Sequence, residues 1–222
     1  MRLDSIVDDI DNSLPASAWV RKGGSLLMMV GLPGTGKTSI VTGLHRLLPC
    51  VLVATDFVRA QIRQSPMYTA AEMMLVYEVC YLLIERRLQR GQRVVFDGSN
   101  YLAARREYLT DLAKRNGAPV AVCSVQAAQE AIEQRLRQRQ DRGHSAKDKS
   151  DADWVVYQWM VEAQEPVIGE HLILDTTTTS PEILAHHLKN YWLEVEKTAA
   201  SDPDLQSLSW ASKLSGVNGA RR

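Results

Sequence analysis

The sequence predicts an α/β fold in which helices cover both faces of an open, parallel, doubly wound β-sheet. Two observations carry this prediction. Five apolar runs of strand length alternate along the chain with stretches of helical periodicity. The first run also leads through a glycine-rich turn directly into a helical pattern. Ligands of such folds bind at the carboxyl ends of the strands, so the polar residues that end the strands are the candidates for function.

Five segments are predicted to be buried strands because they are apolar almost throughout and are bounded by turn-forming residues. In chain order they are residues 25–30, 50–54, 93–97, 119–125 and 171–175. Asp97 and Asp175 end the third and fifth strands, and Asp56 follows the second. Parallel strands place their carboxyl ends at one edge of a sheet, so we expect these carboxylates to share that edge.

The segments between the strands carry apolar residues at spacings of three and four, which indicates amphipathic helices. In chain order the predicted helices are residues 38–48, 57–64, 69–90, 101–116, 127–140, 154–165 and 181–196. Gly91 and Gly117 stop two of them, and Pro166 ends another. Ser180 and Pro181 open the last one, as a cap and a first-turn proline.

Two segments flank the predicted domain of residues 25–197. Residues 1–24 contain a short acidic amphipathic stretch, which we expect to pack on the domain as an extension. Residues 198–222 are rich in Ser, Asp, Gly and Asn, which predicts a flexible tail. Within the domain, the polar and charged stretch at about residues 137–153 is predicted to be a mobile lid.

Composition and charge narrow the class of protein. The 26 basic and 26 acidic residues cancel, so no overall field draws the chain to nucleic acid or to an anionic membrane. Cys50, Cys80 and Cys123 lie in apolar patterns without a Cys-x-x-Cys pair, which predicts buried free thiols and a reducing cytoplasm. The acidic start lacks the pattern of a signal peptide, and no run of 18 apolar residues occurs. We expect a cytoplasmic protein that is neither secreted nor membrane-spanning.

Residues 31–38 match the phosphate-binding pattern Gly-x-x-x-x-Gly-Lys-Ser/Thr at every fixed position, between a predicted strand and a predicted helix. Glycines let a loop aim consecutive backbone N–H groups at a polyphosphate. Lys37 can reach the β and γ phosphates, and the Thr38 hydroxyl can ligate Mg²⁺. The chain lacks the Asn/Thr-Lys-x-Asp guanine signature, so adenine is the expected base. The predicted ATP contacts are Gly31, Leu32, Pro33, Gly34, Thr35, Gly36, Lys37, Thr38 and Ser39.

Residues 25–196 resemble a group of P-loop kinases that includes phage-type polynucleotide kinase, zeta toxins, chloramphenicol phosphotransferase and AAA_33-type ATP-binding proteins. Besides the phosphate-binding pattern at 31–38, the resemblance rests on four motifs and on the order in which they occur. They are Asp-Phe-Val-Arg at 56–59, Val-Val-Phe-Asp-Gly-Ser-Asn at 94–100, Arg-Leu-Arg-Gln-Arg at 135–139, and Ser-Asp-Ala-Asp at 150–153 leading towards Glu165-Pro166. The resemblance implies the strand order 2-3-1-4-5, ATP with Mg²⁺ as the donor, and a catalytic base at Asp56.

Residues near the predicted strand ends are candidates for acceptor and metal binding, and each has a structural alternative. Asp56 would deprotonate the acceptor hydroxyl, or it caps the helix that follows. Arg59 would bind an anionic acceptor, or it lies on a solvated helix face. Asp97 would contact Mg²⁺ or the acceptor, or it forms a turn. Asn100 would contact the acceptor, or it shares with Ser99 the capping of the next helix.

Arginines before the charged stretch are candidates for stabilising the transition state. Arg135 and Arg139 lie four residues apart on a predicted helix and share a face, and Arg142 follows them. Closure of a lid would bring a guanidinium to the charge that spreads over the transferring phosphoryl group. The alternative is an ordinary basic helix face, which is the role expected of Arg137. Asp175 and the threonines after it would border the adenine, or they form a turn.

These features predict a phosphotransferase that moves the γ-phosphate of Mg·ATP to a hydroxyl of a small molecule or nucleotide. A polynucleotide 5′-hydroxyl kinase is one alternative. Tyr101, Arg105 and Arg106 offer aromatic and basic side chains for a nucleic-acid channel, although the neutral composition argues against a long one. An ATPase or conformational switch without an acceptor is the other alternative.

Overall fold

The computed structural model describes residues 3–15, 17, 19–62, 69–142 and 154–201. The elements in chain order are α1 (Leu3–Ser13), β1 (Ser25–Val30), α2 (Lys37–Leu47), β2 (Val51–Ala54), α3 (Thr55–Ile62), α4 (Ala70–Gln89), β3 (Arg93–Asp97), α5 (Ala103–Arg115), β4 (Val120–Gln126), α6 (Gln129–Arg142), α7 (Trp154–Ala163), β5 (Leu172–Asp175) and α8 (Pro181–Ser201). Every strand and helix expected from the sequence is present, with ends within two residues, except that α8 continues past Glu196 to Ser201.

The five strands form one parallel sheet in the order β2-β3-β1-β4-β5, which confirms the α/β fold of the P-loop NTPase type. Central strand β1 is buried at all six positions, as its uninterrupted apolar sequence predicts for a strand covered on both faces. Side chains alternate across the sheet, so Leu27 and Met29 enter one core and Leu26, Met28 and Val30 enter the other.

Each face of the sheet is covered by its own set of helices. On one face α1, α4 and α5 pack around Leu83 and Phe96. On the other face α2 and α8 pack around Trp192, whose indole N–H donates a 2.8 Å hydrogen bond to the hydroxyl of Ser25 at the start of β1. The apolar face of α1 joins the first core, and its Asp11 forms a buried ion pair with Arg87 of α4.

The structure bears on the expectations about the cysteines and about membrane-spanning helices. Cys50, Cys80 and Cys123 are buried free thiols, and burial raises the pKa of Cys50 to about 12. Among the described residues no helix is long and apolar enough to cross a membrane. The proposed boundaries of the extension, domain and tail stay predictions. Residues 143–153 of the expected lid and residues 202–222 of the expected tail lie outside the described part of the chain.

Candidate active site

The turn between β1 and α2 is closely packed at its glycines. Gly31 has φ 152°, and a Cβ there would lie 2.5 Å from the Val125 carbonyl oxygen. Gly34 has φ 80°, and a Cβ there would lie 2.9 Å from the Ile132 side chain of α6. The Gly31 N–H donates to the Ser99 carbonyl at 2.9 Å, which ties the turn to the loop after β3. Side chains larger than hydrogen would therefore force this turn to move.

The start of α2 presents a positive surface to this turn. Its cap is Gly36, which supplies no side-chain acceptor, so the first N–H groups of the helix have no side-chain cap. Lys37 Nζ crosses the turn and donates to the Leu32 carbonyl at 2.9 Å. Burial lowers the pKa of Lys37, while the carboxylates of Asp97 and Asp56 act in the opposite direction. A helix start with a neighbouring lysine is suited to an oligophosphate.

Thr38 and Asp97 meet at the carboxyl edge of the sheet. The Thr38 hydroxyl donates to Asp97 Oδ2 at 2.8 Å. Burial raises the pKa of Asp97, against the effects of Lys37 and of this hydrogen bond. The two side chains offer hard oxygen atoms next to the phosphate turn, which fits Mg²⁺, since this ion takes one or two protein oxygens and completes its shell with phosphate and water.

Asp56 lies at the same edge because β2 ends beside β3. Ala54 pairs with Asp97 in the sheet, and α3 begins at the next residue, Thr55. Asp56 is therefore in the first helical turn, and the alternative in which it caps this helix is wrong. Its Oδ1 accepts a 2.6 Å hydrogen bond from Arg59. The Asp56 side chain keeps 32% of its surface exposed, so it can receive a ligand.

Arg59 is buried between two carboxylates. Only 4% of its side-chain surface is exposed, so the alternative of a solvated helix face is wrong. Its guanidinium pairs with Asp56 at 2.6 Å and with the buried Glu72 at 3.4 Å, and it donates to Met73 Sδ at 3.3 Å. Arg59 thus connects α3 with α4. Its contact with an acceptor stays a prediction.

Asn100 is held in a strained conformation at the end of the loop after β3. Its φ is 45°, a region that residues with a Cβ rarely adopt, and its side chain is buried. Nδ2 donates to the Met29 carbonyl at 2.7 Å, while the buried Oδ1 has no hydrogen-bond partner within the described chain. The proposed capping of α5 by Ser99 or Asn100 is wrong, because the cap position is Leu102 and the Glu165 carboxylate accepts from the Ala103 N–H.

Arg135 fastens α6 to the phosphate turn. Its guanidinium donates to the Gly34 carbonyl at 3.1 Å, to the Thr176 hydroxyl at 2.8 Å and to the Thr176 carbonyl at 2.7 Å. The buried Thr176 hydroxyl in turn donates to the Thr35 carbonyl at 2.8 Å. Arg135 is therefore engaged with backbone and hydroxyl oxygens at the site, and its role in stabilising a transition state stays a prediction.

Arg137 and Arg139 lie on different faces of α6, as their spacing predicts. Arg137 is 72% exposed and pairs with Glu133 one turn away on the surface, which confirms its ordinary role. Arg139 is half-buried, and its charge helps to lower the pKa of Lys37, so it lies on the side of the phosphate turn. The side chain of Arg142 lies outside what the structure describes.

Two other groups named from the sequence have mainly structural partners. Asp175 is exposed, and its Oδ1 accepts from the Thr177 N–H at 2.7 Å, which is the geometry of a turn. Its position beside an adenine stays a prediction.

Arg106 donates to the Asn100 carbonyl at 2.9 Å and to the Pro166 carbonyl at 2.7 Å. These bonds commit Arg106 to the protein rather than to a nucleic-acid channel.

The family model AAA_33, described as an AAA domain, matches residues 26–167 of the chain, a range that includes the phosphate turn and the strand-end carboxylates Asp56 and Asp97. The chain belongs to the AAA_33 family. A comparison with curated proteins finds no match.

Solved structures show how this AAA_33 chain compares in fold. Kti12 from Chaetomium thermophilum, crystallised with ADP-AlF3, has a TM-score of 0.60 and 18% identity, over 77% of this chain and 98% of that chain. APS kinase CysC from Mycobacterium tuberculosis, crystallised with AMPPNP and APS, has a TM-score of 0.57 and 14% identity, over 78% and 98%. A gluconokinase from Sinorhizobium meliloti 1021 has a TM-score of 0.52 and 18% identity, over 84% and 99%. The AAA_33 chain therefore has a kinase-like fold.

Three residues of this AAA_33 chain make contacts at the site that the sequence pattern did not predict. Thr176 bridges the phosphate turn and α6, Glu72 pairs with Arg59, and Glu165 caps α5. Glu72 follows Thr69 by three residues, a spacing that is typical of a capping box. Thr69 does accept from the Glu72 N–H at 3.2 Å. The Glu72 carboxylate, however, reaches Arg59 on another helix, which the local pattern does not predict.

Proposed function

We propose that this protein transfers the γ-phosphate of Mg·ATP to a hydroxyl group of a small molecule or nucleotide. The observation that carries the proposal is the convergence of four side chains at the carboxyl edge of the sheet. Thr38 bonds to Asp97, and the charges of Asp97 and Asp56 both act on Lys37. An ATP-binding turn, a pair of metal-binding oxygens and a partly exposed carboxylate are the groups that phosphoryl transfer requires.

The donor side of the reaction is assigned to the phosphate turn and to α6. Backbone N–H groups of residues 31–39 would surround the β and γ phosphates, with Lys37 as the neighbouring cation. Mg²⁺, held by Thr38 and Asp97, would neutralise charge that develops on the phosphates. Arg139 lies near Lys37 and would stabilise the charge on the transferring group, while Arg135 fixes the position of α6.

The acceptor side is assigned to Asp56, Arg59 and Asn100. The acceptor oxygen would bond to the γ-phosphorus while the bond from that phosphorus to the bridging oxygen of ADP breaks. The hydroxyl proton would pass to the Asp56 carboxylate, which is partly exposed and oriented by Arg59. The unpartnered Oδ1 of Asn100 is a further acceptor of a hydrogen bond beside this path.

The solved relatives support this assignment by what they were crystallised with. One is in complex with ADP-AlF3, and another is in complex with AMPPNP and APS. Their identities of 14–18% leave the acceptor of this chain open. The three buried free cysteines support a reducing, cytoplasmic location.

An ATP-consumption screen tests the proposal. ADP release would be measured with Mg²⁺ and with EDTA, against nucleosides, sugars, aminoglycosides, amino alcohols and 5′-hydroxyl oligonucleotides. We expect stimulation by a hydroxyl acceptor that depends on Mg²⁺ and is lost in Asp56→Asn. The matched control is Asp4→Asn, another first-turn aspartate, on the exposed side of α1. Hydrolysis that no acceptor stimulates, and that Asp56→Asn leaves unchanged, would favour an ATPase or switch instead.

A further inference from the structure

Arg105 of α5 lies near the proposed acceptor site. The proposed function gives it no role in binding ATP or Mg²⁺. Its guanidinium carbon lies 3.8 Å from the centroid of the Tyr77 ring of α4 and 5.6 Å from that of Tyr101. Tyr77 also packs edge-on against Phe96, the residue before Asp97, with ring centroids 6.0 Å apart. Arg105 is therefore placed between α4 and the loop that follows β3.

Helix α4 connects Arg105 with Asp56, the proposed catalytic carboxylate. Met73 of this helix touches Arg59, which holds Asp56, and Tyr77 lies four residues further along. Residues four apart lie on one helix face, separated by about one turn of roughly 5.4 Å. Arg105, stacked on Tyr77, is thus connected through one face of α4 to Arg59, the group that holds Asp56.

Arg105 differs from its basic neighbours in having an uncommitted donor. Its Nη1 atom is buried and has no hydrogen-bond partner within the described chain. Arg59 is paired with two carboxylates, and Arg106 donates to carbonyl oxygens. A buried guanidinium donor without a partner is unfavourable, because it has lost water and gained no acceptor in return. Stacking on the Tyr77 ring stabilises the positive charge, but it provides no oxygen to accept a hydrogen bond from Nη1.

We infer that the acceptor carries an anionic group, a phosphate, sulfate or carboxylate, which Arg105 binds while the acceptor hydroxyl lies at Asp56. The planar guanidinium suits these groups because it donates to two of their oxygens at once. This inference rests on the proposed function and names its substrate class. Arg105 is then a specificity-determining residue, whereas Arg59 orients the base.

Matched pairs of compounds test the inference. The pairs are glycerol and glycerol 3-phosphate, glucose and gluconate, and adenosine and adenosine 3′-phosphate. Binding is measured by calorimetry with Mg·AMPPNP present, so that the phosphate turn is filled and added anions report on another site. We expect the wild-type protein to bind the anionic member of at least one pair about 10- to 100-fold more tightly, the range for a charge-assisted hydrogen bond. A 5′-hydroxyl oligonucleotide tests whether the same phosphate comes from a nucleic acid.

Variants of two arginines on the same helix assign the effect. Arg105→Met should abolish the preference for the anionic member, and Arg105→Lys should retain part of it. Arg115→Met is the control, because Arg115 also lies over a tyrosine ring, that of Tyr108 at 6.0 Å, but is exposed. Unchanged affinity for AMPPNP and an unchanged circular dichroism spectrum would show that each variant is folded.

The outcomes separate this inference from the proposed function. Equal binding of neutral and anionic members by the wild type, no binding of any pair, or a preference that survives in Arg105→Met would each overturn the inference. Transfer to a neutral acceptor that Arg105→Met does not alter would overturn it while the phosphotransferase function stands. Anion binding that depends on Arg105 without phosphate transfer to any compound would support the anion site and contradict the function.

Discussion

Replacing Asp56 with Asn separates the chemical role of this residue from its structural one. In the wild type, Arg59 donates to the Asp56 carboxylate at 2.6 Å. Asparagine has the same shape, and its Oδ1 can still accept this hydrogen bond. What is lost is the negative charge and the ability to take a proton. Because α3 begins at Thr55, Asp56 does not cap the helix, so no capping hydrogen bond is lost.

The structure sets the expected size of both effects. Arg59 is buried but keeps Glu72 as a partner and can still donate to the amide, so weakening its ion pair with Asp56 should cost about 1–3 kcal/mol of folding free energy. Against a typical stability of about 5–15 kcal/mol, that loss leaves more than about 95% of the molecules folded. Removing a general base lowers the rate by about 10²- to 10⁴-fold. A rate loss in this range therefore reports on chemistry and not on unfolding.

The assay is the rate of phosphate transfer to the best acceptor, together with the affinity for ATP and the thermal midpoint. We expect transfer to fall by about 10²-fold or more while ATP affinity changes less than a few-fold. A transfer rate equal to that of the parent would refute the assignment of Asp56 as the base. In that case Asp56 would be left with the role of holding Arg59.

Three further predictions concern other parts of the molecule. Arg139→Ala should lower kcat by about 10²-fold and Arg137→Ala should leave it unchanged; equal small effects would show that α6 has only a solvated basic face. Gly34→Ala should raise the KM for ATP by about 10-fold or more, because φ 80° and the 2.9 Å approach of α6 exclude a Cβ; an unchanged KM would contradict this packing. Asp11→Ala should lower the thermal midpoint by about 10 °C with no change in KM, because it removes the carboxylate that pairs with the buried Arg87. A midpoint within 2 °C of the parent corresponds to a loss of about 1 kcal/mol or less and would contradict a stabilising role of this pair.

Local patterns in the sequence suffice for the elements and for the residues that end the strands. Strand β3 has the bounds that its apolar run predicts, and Asp97 closes it. Asp56 and Asp97 meet at one edge because parallel pairing aligns Ala54 with Asp97, which follows from the strand order. The phosphate turn is the clearest case, because the two fixed glycines, Gly31 and Gly36, have positive φ angles that favour glycine.

Contacts between distant segments could not be predicted in the same way. Helix α5 was expected to be capped by its own preceding residues, yet Glu165 provides the acceptor from 62 positions away. Thr176 reaches the turn across 141 positions. Such partners depend on the packed tertiary structure, and a single threonine or glutamate in a loop carries no periodic or spacing signal that marks it.

Replacing Lys37 with Ala tests most directly whether this chain uses its phosphate turn to transfer phosphate from ATP. The turn is shaped by its glycines and backbone hydrogen bonds, so the variant should stay folded. The decisive measurement is Mg·ATP-dependent turnover with the best acceptor of the screen, in the wild type and in Lys37→Ala at saturating ATP. The predicted result is a folded variant with turnover reduced to background, because the cation proposed to contact the γ-phosphate is gone. Turnover within a few-fold of the wild type would contradict the proposed function.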